Sequence, residues 1–451
     1  MRHTTPRPRC APRPHRALRP GALLLALALL GSLVACGSSE EEGAPVLKWY
    51  ARDEAGGVFG AAISDCNEAA EGRYTIELVP LPANADEQRE QLVRRLAAED
   101  GDIDLMNMDV PWTAEFANAG WIEEWPEDRA AAVTEGRIET TVETATYDDA
   151  LYGAPLNTNA QLLWYRDDLV DEVPATWDQM VDQAEALAEE GEPHIIWTQG
   201  QRYEGLVVWF VSLLASAGGS VLDESGEEVS LETEPTREAL EVMRRYSRSV
   251  AAPSALATAQ EDQGRQGWET GEAAFMTNYG FVWPSANQLA PDIAADMGWA
   301  QYPGVVEGEP SRVVIGGFNI GIGAYGAHQD LAFDAASCLV GEDNQIRNAT
   351  DAGLLPVSEA LYSDPALTEA EAAVEGEPIE RDGEPVLAFP YAETIKAALD
   401  TAVLRPQTPY YNDVSLAIIS ILHPTADIDP DDDVERLRDA ISRALDGEGL
   451  L

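Results

Sequence analysis

Residues 73–112, "RYTIELVPLPANADEQREQLVRRLAAEDGDIDLMNMDVPW", decide the fold. The apolar runs "TIELVPL" and "DIDLMNMDV" have the length of buried strands, and between them Leu92 and Leu96 lie four residues apart on one helical face. "PVLKWYA" at 45–51 adds a strand before this stretch, and "GGVFGAAISDCNEAAEG" adds a helix. Alternating strands and helices predict an α/β fold with a parallel sheet covered on both faces. Ligands of such sheets bind beyond the carboxyl ends of the strands, where Asp109 lies.

The N-terminus predicts export. Residues 1–35 combine a basic head that holds no acid with the apolar run "GALLLALALLGSLVA", which is the order of a secretory signal peptide. "LVAC" also fits the bacterial lipobox, so we expect Cys36 to be acylated, although an ordinary signal peptide with an incidental cysteine is the alternative. Residues 36–43 predict a tether, because they offer little apolar surface to bury. We therefore expect an exported protein that is lipid-anchored to the outer face of the cytoplasmic membrane.

Length and charge narrow the possible functions. The chain after the signal peptide is long enough for two domains of roughly 100–200 residues each. The whole sequence has 80 acidic and 29 basic residues, which gives a net charge of −51. The only charged residues of the signal peptide are basic, so its removal makes the net charge more negative. Such a surface repels phosphate backbones and anionic lipids, which argues against nucleic acid as a partner. Solubility explains the acidity, and a cationic ligand is the alternative explanation.

Two cysteines remain after processing, because Cys10 is cleaved off and Cys36 carries the lipid. Cys66 and Cys338 would then lie in an oxidising compartment, where a remaining pair predicts a disulfide. By the chain-entropy argument, closing so long a loop stabilises the fold by roughly 4–5 kcal/mol. Two separate buried thiols are the alternative.

The sequence predicts no metal site, no cofactor and no catalytic histidine. His194, His328 and His423 remain after processing, and no two of them have the spacing of metal ligands. "IGGFNIGIG" is rich in glycine but lacks the Lys and Ser/Thr of a phosphate-binding loop. Pairs such as Glu123 with Glu124, or Glu204 with Asp223, could serve as the acid and base of a glycosidase. Because acidic residues are so abundant here, such pairs carry little information.

Aromatic residues beside polar groups favour a sugar ligand. The apolar faces of a pyranose stack on Trp or Tyr, while its hydroxyls pair with carboxylates and amides. In this chain, seven residues of these types fall where strand ends or loops should open onto a cleft: Asp109, Trp112, Asn157, Asn159, Trp164, Tyr279 and Trp283. For each tryptophan, packing in the hydrophobic core is the alternative.

Several longer blocks resemble a known family. "WETGEAAFMTNYG" and "GLLPVSEALYSDP" resemble segments of the extracellular solute-binding proteins of ABC importers, family 1, the maltose-binding-like group. "WTAEFANAGW", "NTNAQLLWYRDDLV", "EGLVVWFVSLLASAGGSVL" and "RPQTPYYNDVS" are similar to the trehalose-recycling lipoproteins of high-GC Gram-positive bacteria. This resemblance covers residues 44–451. It also extends to the two cysteines, which strengthens the expectation of a disulfide.

The resemblance implies a two-lobe periplasmic-binding-protein-like fold (type II, maltose-binding-like) that closes about a hinge. Residues 44–155 and 312–358 would form the first lobe, and residues 156–311 and 359–451 the second. The implied function is to bind a disaccharide, trehalose first, and to deliver it to the ABC permease subunits. We expect a monomer with no enzymatic activity. The alternatives are a receptor for another glucose disaccharide or a maltooligosaccharide, a receptor for a polyamine, and a secreted glycosidase.

The resemblance also implies a set of ligand-binding residues. The first lobe would contribute carboxylate acceptors, and the second lobe an amide and a further carboxylate. Two glycines would let the backbone approach the ligand, and an arginine of the C-terminal segment would donate hydrogen bonds. Tyr279 stands where the relatives tend to have Trp, and the loop at Asp53 and Glu54 departs from their pattern. The full set is Asp53, Glu54, Asp109, Trp112, Asn159, Glu261, Tyr279, Gly316, Gly317 and Arg405.

Overall fold

Two separate sheets organise the computed structural model. It describes residues 43–223, 225–374 and 376–448, and residues 44–451 belong to one compact unit. The expected signal peptide, the lipidated Cys36 and all but the last residue of the tether lie outside the described residues. None of the helices in the described ranges has the length and apolar composition that a membrane crossing requires.

Strands are labelled in chain order. They are β1 Val46–Arg52, β2 Thr75–Leu81, β3 Leu105–Asp109, β4 Thr146–Tyr147, β5 Ala150–Leu151, β6 Gly153–Asn159, β7 Leu162–Arg166, β8 Ile195–Trp197, β9 Ala273–Asn278, β10 Met297–Gln301, β11 Gly316–Ile322, β12 Ala373–Val374, β13 Glu377–Pro378, β14 Glu380–Arg381 and β15 Glu384–Pro385.

The α-helices follow the same order. They are α1 Val58–Ala69, α2 Ala85–Leu96, α3 Trp112–Asn118, α4 Glu127–Thr134, α5 Glu139–Thr144, α6 Trp177–Glu190, α7 Glu204–Ser216, α8 Thr233–Arg248, α9 Glu261–Glu269, α10 Val282–Leu289, α11 Pro291–Ala295, α12 Gln329–Leu339, α13 Glu342–Ala352, α14 Pro365–Thr368, α15 Ala392–Leu399, α16 Tyr411–Leu422 and α17 Pro430–Leu445.

The first sheet has the strand order β2-β1-β3-β11-β6. Strands β2, β1 and β3 are parallel, as the strand–helix alternation predicts, while β11 is antiparallel to both β3 and β6. Successive residues of β1 point to opposite faces, so Trp49 packs in one core cluster and Tyr50 in another. Helices therefore cover both faces of the sheet, which confirms the predicted α/β layering.

Helices α1 and α12 lie on one face of this sheet. Cys66 on α1 and Cys338 on α12 are joined, with their sulfurs 2.00 Å apart. The two residues are 272 positions apart in sequence. The link therefore ties the beginning of the chain to the late segment that returns to the first sheet through β11.

The second sheet has the order β10-β7-β9-β8 and its own large core. Helix α7 is buried along its whole length, which explains why its sequence is apolar on every side. Helix α6 begins and ends as its sequence predicts. The Thr176 hydroxyl accepts a hydrogen bond from the Gln179 amide at 3.2 Å, and Gly191 ends the helix in the left-handed conformation.

The chain passes between the two sheets at closely spaced points. Ala160 and Gln161 are the residues between β6 of the first sheet and β7 of the second. The segment before β11 leads the chain back from the second sheet to the first. In this segment residues 313–315 lie beside Val403, and the Ile315 amide donates to the Val403 carbonyl at 2.9 Å. The architecture is a two-lobe α/β fold in which each sheet packs against its own hydrophobic core.

Candidate functional site

Asp109 lies at the carboxyl end of β3, where the parallel strands of the first sheet should present ligand-binding groups. Its side chain is buried, and the chain then turns through Val110 and Pro111 into α3. The Val110 amide donates to the Gly317 carbonyl at 3.3 Å, which ties this turn to the start of β11. The strand pattern alone predicts this position for Asp109.

Arg405 joins Asp109 to the second half of the molecule. Its Nη1 donates to Asp109 Oδ2 at 3.0 Å, and its Nη2 donates to Asp109 Oδ1 at 2.5 Å. The same Nη1 donates to Glu204 Oε1 at 2.8 Å, at the first residue of α7. The Arg405 side chain is 2% exposed, so the pairing takes place out of contact with bulk water.

Glu204 is held from several directions. Besides Arg405, the Tyr411 hydroxyl donates to Glu204 Oε1, and the Ser415 hydroxyl donates to Oε2 at 2.6 Å. Burial raises the pKa of Glu204, while the adjacent Arg405 lowers it in part. We call Asp109, Glu204, Arg405, Tyr411 and Ser415 the Arg405 cluster. The sequence analysis did not assign Glu204 to the binding site, because its position depends on the distant segment that contains Arg405.

Gly316 and Asn159 border the Arg405 cluster. These two residues pair across β11 and β6, and a β-carbon on Gly316 would lie 3.6 Å from the β-carbon of Asn159 and 4.0 Å from Arg405 Nη2. Gly317 is a glycine for another reason. Its φ is +118°, and a β-carbon there would lie 2.2 Å from the Asn157 carbonyl oxygen. Close packing of β11 on β6 therefore requires Gly317.

Glu261 and Tyr279 are brought together by Asn278. The Asn278 amide donates from Nδ2 to the Glu261 carbonyl at 3.0 Å, and its Oδ1 accepts from the Tyr279 amide at 2.9 Å. Burial raises the pKa of the Glu261 carboxyl. Burial and then the Glu261 carboxylate raise the pKa of the Tyr279 hydroxyl. The charge of Arg405 lowers this pKa in part, and the charge of Asp109 raises it further. Glu261 and Tyr279 thus lie beside the Arg405 cluster.

Asp53 and Glu54 differ in their surroundings. Asp53 is exposed, whereas Glu54 is half-buried, with a carboxylate oxygen 3.9 Å from Nε of Arg52. Burial raises the pKa of Glu54, and the charge of Asp262 acts on it as well. Glu54 therefore lies within range of the charge of Asp262 in the first turn of α9, while no described contact brings Asp53 to the same place.

The predicted tryptophans mostly belong to the cores. Trp112 is 4% exposed and stacks on Phe116, with ring centroids 6.0 Å apart, although it also borders a small cavity of about 60 Å³ shared with Asp86 and Glu204. The prediction that Trp164 and Trp283 open onto a cleft is wrong. Both rings are buried in the core of the second sheet, where tryptophan contributes apolar area.

The assembled groups suit a ligand with many hydroxyls. Asp109 and Glu261 supply carboxylate acceptors, Arg405 supplies donors, and Asn159 supplies both. Tyr279 adds an aromatic ring that is half-buried. The arrangement draws side chains from β3 of the first sheet, from the end of β9 in the second sheet and from the C-terminal segment.

Known proteins are similar to this chain in sequence. Residues 58–346 match the family model described as bacterial extracellular solute-binding protein. A probable ABC transporter-binding protein of Deinococcus radiodurans is 26% identical over 383 residues, which cover 81% of this chain and 86% of that protein. The diacetylchitobiose binding protein DasA of Streptomyces coelicolor is 24% identical over 283 residues, 61% of this chain and 65% of that protein.

The fold agrees with a solved structure at full length. The maltose-bound MalE3 of T. maritima aligns with a TM-score of 0.78 and 27% sequence identity, covering 88% of this chain and 99% of that one. The family model covers more than half of the chain, in a molecule with the same two-lobe α/β fold. The chain therefore belongs to the bacterial extracellular solute-binding protein family.

Proposed function

We propose that this protein is the lipid-anchored receptor of an ABC sugar importer. It binds a disaccharide, trehalose in our proposal, between the two sheets and delivers it to the permease without covalent chemistry. The observation that carries this proposal is the convergence of Asp109, Arg405, Glu261 and Tyr279 from separate parts of the chain. Cys36 would carry the lipid anchor, and the disaccharide would be the ligand.

The proposed binding mode follows from the chemistry of each group. Asp109 and Glu261 accept hydrogen bonds from sugar hydroxyls, and Arg405 donates to a sugar oxygen. Asn159 and the backbone at Gly316 complete the polar wall. The ring of Tyr279 stacks on the apolar face of one pyranose. Charged hydrogen-bonding groups in a site closed to water supply affinity and orientation together.

The proposed lobes are residues 44–155 with 312–358, and residues 156–311 with 359–451. The sheet assignments support this division, since β1 to β6 and β11 lie on one side of it and β7 to β10 on the other. The short connection between β6 and β7 and the pairing of Val403 with residues 313–315 are the proposed hinge. The Cys66–Cys338 link lies within the first lobe and leaves the hinge free.

Two lines of comparison support a sugar as the ligand. MalE3 was solved with maltose, and DasA is described as a diacetylchitobiose binding protein. Trehalose itself rests on the resemblance of the sequence blocks around residues 112–121, 157–170 and 405–415 to trehalose-recycling lipoproteins.

Calorimetric titration of the mature chain with trehalose, maltose, sucrose and spermidine tests the proposal. We expect trehalose to bind most tightly, spermidine to give no binding heat, and the sugar affinity to change little with salt. A flat trehalose trace beside a strong response to another ligand overturns the choice of sugar. Release of reducing sugar during the titration would show that the protein is a glycosidase instead.

Two substitutions test the placement of the site. Asp109→Ala removes a charged acceptor and Tyr279→Ala removes the stacking ring, so each should weaken trehalose binding by about tenfold or more. Asp330→Ala is the matched control, because the Asp330 side chain is 93% exposed. Wild-type affinity in both site variants would show that the ligand binds elsewhere.

A further inference from the structure

Tyr203 is a buried tyrosine that the sequence analysis did not assign to the site. It immediately precedes α7 and has an extended backbone, with φ −161°. The side chain is 4% exposed, and its hydroxyl forms no well-directed hydrogen bond within the described residues, although the Glu261 carboxylate is within reach as an acceptor. A buried hydroxyl that is so weakly partnered is rare, because losing its hydrogen bonds to water is unfavourable.

Gly205 fixes the position of this hydroxyl. A β-carbon on Gly205 would lie 2.2 Å from the Tyr203 hydroxyl oxygen and 2.3 Å from Cζ. Any residue other than glycine would therefore push the phenol away from the first turn of α7. The "YEG" sequence at 203–205 thus places a tyrosine hydroxyl against the helix and, at the next residue, the Glu204 carboxylate that holds Arg405.

The neighbours of Tyr203 are the groups of the proposed sugar site. The Gly200 and Gln201 amides both donate to the Ala259 carbonyl at 3.1 Å, which holds the segment before Tyr203 against the residues that lead into Glu261. Burial and then the Glu261 carboxylate raise the pKa of the Tyr203 hydroxyl, and Tyr279 and Asp86 act in the same direction. The phenol is therefore protonated at neutral pH and has a proton to donate. Glu261 has its carboxylate nearby as an acceptor.

We propose that Tyr203 is a sugar-binding residue that donates its hydrogen bond to a ligand hydroxyl, which in turn donates to Glu261. This inference rests on the proposed function. An alcohol both accepts and donates hydrogen bonds, so one sugar hydroxyl can satisfy a phenol and a carboxylate at once. Tyr203 then gains in the complex a well-directed hydrogen bond that it lacks in the free protein.

Tyr203→Phe removes the hydroxyl and keeps the ring over Gly205. We expect this variant to bind trehalose about tenfold more weakly than the wild type, while its melting temperature is unchanged or higher. The matched control is Tyr246→Phe, because the Tyr246 hydroxyl is buried and donates to the Ile196 carbonyl at 2.5 Å. That variant should have a lower melting temperature and unchanged affinity.

The measurement is calorimetric titration of the three proteins with trehalose, maltose and sucrose, beside thermal unfolding without ligand. If the wild type binds one of these sugars and Tyr203→Phe binds it equally well, the role of Tyr203 is wrong while the proposed function stands. If Tyr203→Phe lowers the melting temperature as much as Tyr246→Phe does, the hydroxyl has a structural role and the inference fails. If the wild type binds none of the sugars, the proposed function fails, and the inference fails with it.

Discussion

Arg405 is the residue on which the site depends. It pairs with both oxygens of Asp109 and with Glu204, and its side chain is 2% exposed. Two buried carboxylates and one guanidinium are stable together because each charge has a partner. Removing the cation leaves both acids unpaired and buried, which costs far more than removing an exposed pair.

The first prediction concerns the two buried carboxylates that lose their cation when Arg405 is replaced. Arg405→Met should reduce the free energy of unfolding by about 3–5 kcal/mol, measured by urea denaturation at neutral pH. Arg237→Met is the control, because Arg237 is 42% exposed and pairs with Glu241 and Asp431 on the surface, where such pairs contribute about 0–1 kcal/mol. Equal losses in the two variants would contradict the buried ionic pairing.

Glu204 gives a prediction in pH. Burial raises its pKa above the usual 4.5, so the folded state holds the Glu204 proton more tightly than the unfolded chain does. The stability this provides is fully present below about pH 4.5 and is lost as the pH rises through the folded-state pKa. Glu204→Gln does not titrate, so wild-type stability should fall relative to the variant as the pH increases.

Urea unfolding of the wild type and Glu204→Gln from about pH 4 to pH 7 measures this difference. Carboxylates remote from Glu204 titrate alike in both proteins and cancel in the comparison. Asp86 does not cancel: burial and then the Glu204 charge raise its pKa to about 6, and the loss of that charge in the variant changes the stability difference in the same direction. A difference in unfolding free energy that stays constant across the pH range would contradict the effect of burial on Glu204.

At the residue level the sequence predicts positions that depend on local order. Asp109 ends a strand of a parallel sheet, and this alone marks it as a candidate. Tyr203 precedes an apolar helix that Glu204 begins. The surroundings of Glu204 depend on residues 405–415, about 200 positions away, and those of Tyr203 on the segment that contains Glu261 and Tyr279. The local sequence does not indicate these distant contacts, so it predicts both residues to be part of the hydrophobic core.

At the scale of elements, local sequence signals give the helices and most strands. Thr176 and Gly191 mark the beginning and end of α6, and the opening strand–helix alternation yields the parallel part of the first sheet. Strand β11 differs. It is one strand that inserts antiparallel between β3 and β6. Such pairing is set by distant partners.

The link between α1 and α12 gives an element-scale prediction. Replacing both Cys66 and Cys338 by Ala should lower the free energy of unfolding by about 4–5 kcal/mol, because the link closes a very long loop of the unfolded chain. Trehalose affinity should be unchanged, since the link joins two helices on one face of the first sheet and contacts no residue of the Arg405 cluster. Urea denaturation and calorimetry measure the two effects. Equal stability of the variant and the oxidised wild type would contradict the prediction.

At the scale of the whole molecule, two sheets with separate cores belong to one fold, and acceptors, donors and one aromatic ring from both of them lie near Arg405. The net charge of −51 disfavours anionic partners. The sequence predicts the two-lobe architecture through its resemblance to the family. The geometry between the lobes follows only when β3, β9, α7 and the segment around Arg405 are brought together.

A crystal structure of the mature chain with trehalose tests the central claim most directly. The account predicts a sugar between the two sheets, with hydroxyls within hydrogen-bond distance of Asp109, Asn159 and Glu261. One pyranose should stack on the ring of Tyr279, and a hydroxyl should accept from Tyr203. Sugar bound away from this space, with residues 109, 159 and 279 pointing into no common cavity, would contradict the account.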